Sequence, residues 1–321
     1  MRKQELFDRL YSSAIVPVVA IDDSNDVMEL GDAFLRAGLQ VVEITLRTEA
    51  ASDAIRKLKG SGRDITVGAG TVLTLDMARQ AVDAGAEFLV TPGFDEEVVD
   101  WAVQHEVPVI PGTATPGEMA RAMKYGLDAV KFFPSEAAGG IKMLKSLAGP
   151  YSSLRFMPTG GISQKNIGDY MELGNVLACG GSWMCTSEMI RRHEFDRITD
   201  LACEAIRTIH DFSLLHVGIN SNDEEEAKKT ADAFGKLLRT QITDGASLFA
   251  GDIIEINKKP GRGRNGHIAV SVRNIDRAMA YFKAQGYQFD ETNMPADDEG
   301  IIAAYFADEI GGFAVHLRRH L

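Results

Sequence analysis

The sequence has few cysteines, no long apolar run and no surplus of positive charge. Its three cysteines are odd in number and show no C-x-x-C spacing, so a disulfide framework is not expected and a reducing compartment is favoured. No stretch approaches the roughly 18 apolar residues of a membrane span. The N-terminal segment MRKQELFDRLYSS lacks the apolar core of a secretory signal. We therefore expect a cytoplasmic protein with no membrane partner.

The charge balance is acidic, with a formal net charge of -12 from 34 basic and 46 acidic residues. Such a chain has no basic surplus to neutralise a phosphate backbone, so we expect no nucleic-acid partner. Hydrophobic residues make up 45% and charged residues 25% of the 321 residues, which is typical of a globular protein with a full core. The length suits one large domain and one smaller domain.

Residues 1–212 alternate short β-branched runs with longer amphipathic segments. The runs lie about 20 to 27 residues apart, the length of one strand and one crossover helix, which predicts an α/β fold, a (β/α)8 TIM barrel. An open doubly wound sheet is the alternative, but the usual glycine-rich loop after its first strand is missing here. The predicted strands are Ile15–Ile21, Val41–Arg47, Thr66–Val72, Phe88–Gly93, Pro108–Thr113, Ala129–Pro134, Arg155–Ile162 and Val176–Trp183.

A change of pattern near Asp211 predicts a boundary, with a second, smaller α+β domain at residues 213–321. Two successive passes of a strand, a helix and further strands suggest an internal duplication into paired βαβββ-like modules. The acidic run Asp223–Glu226 is interpreted as an N-cap and first helical turn rather than a metal site. The predicted elements are Leu214–Asn220, Asp223–Arg239, Ala246–Phe249 and Asp252–Asn257, then Gly266–Val272, Ile275–Gln285, Ile301–Phe306 and Phe313–Leu317.

Polar and charged residues interrupt two of the predicted barrel strands. Strict alternation in VVEITLR places Glu43, Thr45 and Arg47 on one face, and that face points into the barrel if the apolar face meets the helices. An internal salt bridge between Glu43 and Arg47 is the structural alternative to a ligand site. Lys131 lies in the apolar run AVKFFP, where burial disfavours the ammonium form and frees the amine as a nucleophile. A lysine that extends outward to water is the other possibility.

Paired glycines close the seventh and eighth predicted strands, in PTGGI and CGGSW. Backbone amides at these adjacent carboxyl ends form the recurrent phosphate position of such barrels. Either pair alone is weak because tight turns also need glycine. Together they predict an anion site at one edge of the barrel.

Seven segments in order carry a family resemblance over residues 1–212: VVEITLRT, TVGAGTV, VTPGF, VIPGTATP, VKFFPSEAAGG, MPTGGI and GGSW. They resemble the 2-dehydro-3-deoxy-phosphogluconate and 4-hydroxy-2-oxoglutarate aldolases. The resemblance implies a class I aldolase that needs no cofactor, acts on a small keto acid and forms homo-oligomers, commonly trimers. Its substrate would be 2-keto-3-deoxy-6-phosphogluconate, cleaved to pyruvate and glyceraldehyde 3-phosphate, with 4-hydroxy-2-oxoglutarate as a further substrate that gives pyruvate and glyoxylate.

The same resemblance implies a role for each matching residue. Lys131 would form the imine, and Glu43 would shuttle protons. The substrate carboxylate would be held by Arg47, Thr71 and Pro92, and the phosphate by Gly160, Gly161, Gly181 and Ser182. A different or unphosphorylated keto acid, another phosphosugar barrel such as an epimerase, and a barrel without catalysis are the alternatives.

The second predicted domain resembles the vicinal oxygen chelate superfamily, the glyoxalase and dioxygenase group. The resemblance implies a divalent metal held by one residue from each of four strands, here His216, Glu255, His267 and His316. Three histidines and one carboxylate suit zinc, iron, nickel or manganese. A metal-dependent second enzyme and a binding or oligomerising module without metal both remain open.

Overall fold

The computed structural model describes residues 1–320. The chain divides into two compact units, Met1–Ile209 and a second unit that begins at His210. Among the described residues, no helix is both long enough and apolar enough to cross a lipid bilayer. All three cysteines are free, and Cys179 and Cys185 are buried.

The first unit alternates strands and helices along most of its length. Its strands are β1 (Ile15–Val19), β2 (Val41–Thr45), β3 (Thr66–Gly70), β4 (Phe88–Val90), β5 (Val109–Ile110), β6 (Gly112–Thr113), β7 (Ala129–Phe132), β8 (Arg155–Pro158) and β9 (Cys179–Gly181). Its helices are α1 (Lys3–Ser13), α2 (Val27–Arg36), α3 (Ala51–Gly60), α4 (Leu75–Asp83), α5 (Glu96–Gln104), α6 (Pro116–Lys124), α7 (Gly140–Leu147), α8 (Ile167–Met171), α9 (Ser187–Arg191) and α10 (Phe195–His210), with a 3-10 helix at Ser24–Asp26.

The strands of the first unit pair in parallel. One six-stranded sheet has the order β5-β4-β3-β2-β1-β9, and a three-stranded sheet has the order β6-β7-β8. The chain passes from β5 to β6 through Pro111, and a parallel bridge between Thr159 and Gly180 joins the end of β8 to β9. Parallel strands joined by helices confirm the predicted α/β class. They also bring the carboxyl ends of the strands to one edge, which is where ligands bind in such folds.

Apolar residues on α1 and on the strands form one core cluster. Leu6 and Leu10 of α1 are fully buried and pack with Val16, Phe88 and Met157. The strands are short and β-branched, and most of their residues are buried, as expected for a parallel sheet covered by helices. This apolar packing surrounds the few polar side chains that the strands carry.

Most strands of the first unit end earlier than the sequence predicts. β2 stops at Thr45, and the amide of Arg47 turns back to donate a hydrogen bond to the Thr45 carbonyl over 2.8 Å. The prediction that the second strand extends to Arg47 is therefore wrong, and Arg47 follows the end of β2 with an exposed side chain. The apolar composition of these runs continues into the loops, so periodicity alone does not mark where pairing stops.

Within residues 210–320, the second unit contains two helices and a mixed sheet. Its elements are β10 (Ser213–Asn220), α11 (Glu224–Leu238), β11 (Ile242–Asp244), β12 (Leu248–Ala250), β13 (Ile254–Asn257), β14 (His267–Val272), α12 (Ile275–Ala284), β15 (Ala296–Asp297), β16 (Gly300–Ile301), β17 (Ala303–Tyr305) and β18 (Ala314–Arg319). Asp223 caps α11 by accepting a hydrogen bond from the amide of Glu226 over 2.9 Å. The interpretation of the acidic run as a cap is confirmed.

The sheet of the second unit is built from two halves with the same connectivity. Its seven strands have the order β11-β12-β13-β10-β14-β18-β17. In the first module, residues 213–257, β10 pairs in parallel with β13, which pairs antiparallel with β12. In the second module, residues 267–319, β14 pairs in parallel with β18, which pairs antiparallel with β17. The antiparallel pair β10–β14 joins the modules at the centre, so the topology supports the predicted duplication.

Candidate functional site

A buried ion pair lies at the centre of the first unit. The Lys131 Nζ atom is 3.4 Å from Glu43 Oε1, and the two side chains are 6% and 0% exposed. The lysine therefore points inward from β7 and does not extend to water between helices. Glu43 pairs with Lys131 and not with Arg47. The alternative of an internal salt bridge between Glu43 and Arg47 is therefore wrong. A buried amine beside a carboxylate is a suitable arrangement for imine chemistry.

One oxygen of Glu43 is left without a protein partner. Its Oε2 atom is buried and makes no hydrogen bond within the described residues. A buried, unsatisfied carboxylate oxygen costs free energy in the folded state, on the order of 1–3 kcal/mol. Such a group is expected where a ligand or a reacting proton takes the missing place.

The backbone of β3 makes room for the Glu43 side chain. A Cβ atom placed on Gly70 would lie 2.1 Å from Glu43 Oε1, which is far inside van der Waals contact. β2 and β3 pair in parallel with Thr45 opposite Gly70, so the glycine is fixed beside the carboxylate. Gly70 is a positioning residue that the sequence analysis did not single out.

The lysine is held by the neighbouring segment of β5 and β6 and by an aromatic ring at the end of β7. The Thr113 hydroxyl donates a hydrogen bond to the Lys131 carbonyl over 3.2 Å, and the Lys131 amide donates one to the Pro111 carbonyl over 2.9 Å. The Lys131 ammonium also lies 5.2 Å from the centre of the Phe133 ring. The two backbone hydrogen bonds fix the position of Lys131 on the strand, and the ring and Glu43 lie beside its side-chain nitrogen, so the nucleophile is positioned before substrate arrives.

The proposed carboxylate-binding residues lie at the ends of neighbouring strands. The Arg47 Nε atom donates a hydrogen bond to the Thr71 hydroxyl over 3.2 Å. Thr71 has a left-handed φ of 57°, a conformation that costs free energy in a β-branched residue and is concentrated at functional sites. Pro92 follows the end of β4 and is partly buried. The structure thus joins Arg47 to Thr71, whereas no hydrogen bond joins Pro92 to either of them among the described residues.

A cavity of about 340 Å³ opens at the carboxyl ends of β8 and β9. Arg47 lines it together with the four proposed phosphate-binding residues, Gly160, Gly161, Gly181 and Ser182. Thr186 and Ser187, at the start of α9, line the same cavity, and the sequence analysis missed both. The cavity offers backbone amides and hydroxyl groups, which are the donors that bind a phosphate group without a local cationic cluster.

A second polar cluster lies on one face of the sheet in the second unit. His216 Nε2 is 3.1 Å from His267 Nε2 and 3.1 Å from Glu255 Oε2, and His267 Nε2 is 3.3 Å from the same oxygen. These three atoms belong to strands β10, β13 and β14. The structure therefore brings together three of the four predicted metal ligands.

His316, the fourth predicted ligand, lies beside this cluster without joining its ligand atoms. Its ring centre is 5.8 Å from that of His216 and 5.4 Å from that of His267. Its Nδ1 atom is buried and has no hydrogen-bond partner among the described residues. His316 is only 3% exposed, so this nitrogen has neither solvent nor a protein acceptor.

Gly218 leaves the space that the His267 ring occupies. A Cβ atom on Gly218 would lie 1.9 Å from the imidazole Cε1 atom of His267. The two residues are direct partners in the β10–β14 pair. Gly218 therefore permits the close approach of His267 to His216, and the sequence analysis did not predict this role.

The protonation states of the cluster agree with a metal site. The hydrogen bond from His267 holds the pKa of Glu255 at about 2, and burial lowers the pKa of His316 to about 3. Metal ions bind carboxylates and neutral imidazoles, so both residues have the required form near neutral pH. Atoms bound about 2.0–2.2 Å from one ion stand roughly 3.0–3.5 Å apart, as the three ligand atoms do.

Comparisons with known proteins match the first unit. Residues 7–201 match the family model described as "Aldolase: KDPG and KHG aldolase". The chain is 44% identical over 206 residues to the 2-dehydro-3-deoxy-phosphogluconate aldolase of Haemophilus influenzae, covering 64% of this chain and 97% of that protein. It is 42% identical over 197 residues to the KHG/KDPG aldolase of Escherichia coli K12, covering 61% of this chain and 92% of that protein.

A solved structure shows the same fold over the same region. The KDPG aldolase of Legionella pneumophila, crystallised with pyruvate captured at low pH as a covalent carbinolamine intermediate, superimposes with a TM-score of 0.60 at 38% sequence identity. It covers 61% of this chain and 96% of its own chain.

Proposed function

The chain belongs to the KDPG and KHG aldolase family, and on that premise we propose that its first unit is a class I aldolase that cleaves 2-keto-3-deoxy-6-phosphogluconate. The products are pyruvate and glyceraldehyde 3-phosphate, and 4-hydroxy-2-oxoglutarate is a second substrate. The observation that carries the proposal is the buried pair of Lys131 and Glu43, with one glutamate oxygen free to exchange protons. We propose that residues 1–212 form one closed (β/α)8 barrel around this pair.

The reaction begins when Glu43 takes a proton from the Lys131 ammonium, and the neutral amine then attacks the C2 carbonyl of the substrate. The carbinolamine loses water to give the imine, with Glu43 supplying the proton to the departing hydroxyl. Glu43 then removes the proton from the C4 hydroxyl, the C3–C4 bond breaks, and its electron pair enters the imine to form an enamine. Protonation of the enamine at C3 and hydrolysis release pyruvate and restore the lysine. The protonated imine is the electron sink, so this scheme assigns no step to a metal.

The remaining site residues orient the two ends of the substrate. Arg47 holds the carboxylate by paired hydrogen bonds, and Thr71 fixes the arginine through the hydrogen bond between them. Pro92 lines the pyruvate side of the pocket. Gly160, Gly161, Gly181 and Ser182 receive the phosphate in the cavity that they line together with Arg47. We further propose that the protein is a homotrimer, as the family resemblance implies.

A coupled assay of pyruvate release tests this function on the full-length protein. We expect the highest kcat/KM for the 6-phosphorylated keto acid, and a value for its unphosphorylated analogue lower by about 10² or more, because the cavity at β8 and β9 then holds no anion. Pyruvate release from 4-hydroxy-2-oxoglutarate, measured in the same assay, tests the second proposed substrate. Equal rates with and without phosphate would contradict the phosphate assignment, and release of no pyruvate from any keto acid would contradict the aldolase itself.

The second unit supports a different candidate function, a metal-dependent site in a domain that resembles the vicinal oxygen chelate superfamily. The paired modules, the three converging ligand atoms and the unpartnered His316 nitrogen support this proposal. His216, Glu255 and His267 would hold the ion, and His316 is the proposed fourth ligand. A divalent ion would supply Lewis acidity to a bound oxygen. A binding or oligomerising module without metal is the competing hypothesis.

Substitution of Gly218 by alanine tests the metal site. The added methyl group would overlap the His267 ring, so we expect the affinity for Zn²⁺ or Co²⁺ to fall by about 10- to 100-fold, measured by equilibrium dialysis and elemental analysis. Gly245→Ala is the matched control, since a Cβ atom there would meet nothing closer than 3.8 Å. Wild-type protein that retains no divalent metal after dialysis would favour the module without metal.

A further inference from the structure

Arg318 shares a sheet face with the histidine cluster of the second unit. It lies two residues after His316 on β18, and side chains two apart on a strand point to the same face. The pairing register confirms this placement, since Ala269 faces both His216 and His316 while Ser271 faces Arg318. The charge of Arg318 also reaches the cluster. Burial is the first cause of the lowered pKa values of His216 and His316, and the Arg318 charge contributes to both.

Arg318 has no acidic partner among residues 1–320, although its neighbours do. Arg319, the next residue and on the opposite face, pairs with Asp297 over 2.6 Å. Arg262, which lies over the Tyr305 ring, pairs with Asp290 over 2.7 Å. Arg318 is partly buried yet forms no salt bridge. A half-buried guanidinium without a counter-ion beside a set of metal ligands is the arrangement expected for an anion-binding group.

Aromatic packing defines one side of this position. The Tyr305 ring packs against His316 with ring centres 4.5 Å apart, and the Arg262 guanidinium lies 4.6 Å from the centre of the same Tyr305 ring. Ala303 faces Arg318 on the neighbouring strand. The residue opposite Arg318 is therefore a small alanine, and the tyrosine ring packs next to the histidines.

From this placement, we propose that the second unit binds a small carboxylic acid, with its carboxylate on Arg318 and an adjacent oxygen on the metal ion. The proposal rests on the metal site proposed above. Two residues along a strand span about 6.5–7 Å, so one molecule of the size of a two- or three-carbon oxo acid reaches both groups. A single planar guanidinium matches the two oxygens of a carboxylate, and the test below includes inorganic phosphate as the competing anion.

Oxamate binding to the Co²⁺-loaded full-length protein tests the proposal. Oxamate has the shape of pyruvate but carries an amide in place of the ketone, so it forms no imine with Lys131. The visible absorption of Co²⁺ reports ligands at the metal alone, so oxamate bound elsewhere in the chain is silent. We expect saturable spectral change in the wild type and a Kd at least 10-fold higher in Arg318→Gln. Arg318→Lys is expected to fall between them, because it keeps the charge and loses the paired hydrogen bonds.

Two controls separate carboxylate recognition from damage to the metal site. Arg319→Gln removes the adjacent arginine on the opposite face and should leave the oxamate Kd within about twofold. Azide, which binds the ion without reaching Arg318, should give similar affinities in wild type and Arg318→Gln. If Arg318→Gln does not fold, the oxamate Kd of Arg318→Lys is compared with that of the wild type instead.

The outcomes distinguish this inference from the metal proposal. If wild-type protein binds no Co²⁺, both fail. If Co²⁺ binds and the oxamate Kd is the same in wild type and Arg318→Gln, the metal site stands and the role of Arg318 is overturned. A spectral response to inorganic phosphate that depends on Arg318, together with no response to oxamate, would also overturn the proposal of a carboxylate site. The site would then be assigned to phosphate compounds.

Discussion

Replacement of Lys131 by methionine is expected to lower kcat/KM for keto-acid cleavage by about 10⁴ or more, because no other group can form the imine. Methionine has a similar length and no charge, so it fills the same buried volume. Treatment of the wild type with pyruvate and borohydride should inactivate the enzyme and add one reduced pyruvate adduct at Lys131, located by mass spectrometry of peptides. The methionine variant should take up no adduct.

An exposed lysine provides the control for this experiment. Lys145 lies on α7 in the same unit and is solvent-accessible, so Lys145→Met should retain both activity and trapping. The fold of each variant is checked by its thermal unfolding. An adduct on a lysine other than Lys131, or undiminished trapping in Lys131→Met, would refute the assignment of the nucleophile.

Replacement of Glu43 by glutamine is expected to reduce kcat by about 10²–10⁴, the usual contribution of general acid–base catalysis. Glutamine preserves the shape that Gly70 accommodates but loses the carboxylate that accepts a proton. KM should change little, since the carboxylate and phosphate contacts come from other residues. Borohydride trapping with pyruvate should still occur at Lys131 but more slowly, because carbinolamine dehydration has lost its proton donor.

The rate of trapping separates a catalytic role of Glu43 from a structural one. If Glu43 only neutralised the lysine, its loss would alter stability and leave the pre-steady-state rates of folded protein unchanged. Glu97→Gln on α5 removes an exposed carboxylate from the same unit and should have no effect on either rate. A Glu43→Gln variant with wild-type kcat would contradict the proton-shuttle role.

The sequence was sufficient to predict the α/β class and the inward direction of Lys131 and Glu43. The class follows from the spacing of strands and helices, the direction of Glu43 from alternation along its strand, and that of Lys131 from its place in an apolar run, all of which are local properties of the chain. The predicted extension of the second strand to Arg47 was wrong, because strand pairing rather than composition determines where β2 stops. Gly70 and Gly218 escaped notice because their importance lies in contacts with residues distant in sequence.

The metal-ligand prediction for the second unit was also correct where it depended on strand position and incomplete where it depended on contacts between distant residues. The resemblance predicted His216, Glu255 and His267 as ligands from their strand positions, and the structure places their ligand atoms together. His316 lies on the predicted strand and face, yet its ring stands beside the three ligand atoms. A pattern of residues specifies which strand and which face a side chain occupies. It does not specify the last few ångströms, which depend on packing against neighbours such as Tyr305.

The two modules of the second unit each supply half of the proposed metal ligands. His216 and Glu255 come from the first module, and His267 and His316 from the second, across the central β10–β14 pair. A bound ion would therefore act as a non-covalent cross-link between two duplicated halves. By mass action, an ion that binds only the folded domain adds about 2.7 kcal/mol of stability at a free concentration 100 times its Kd. The melting temperature of the second unit would then follow the free concentration of the metal, and the domain would respond to metal supply through its own folding equilibrium.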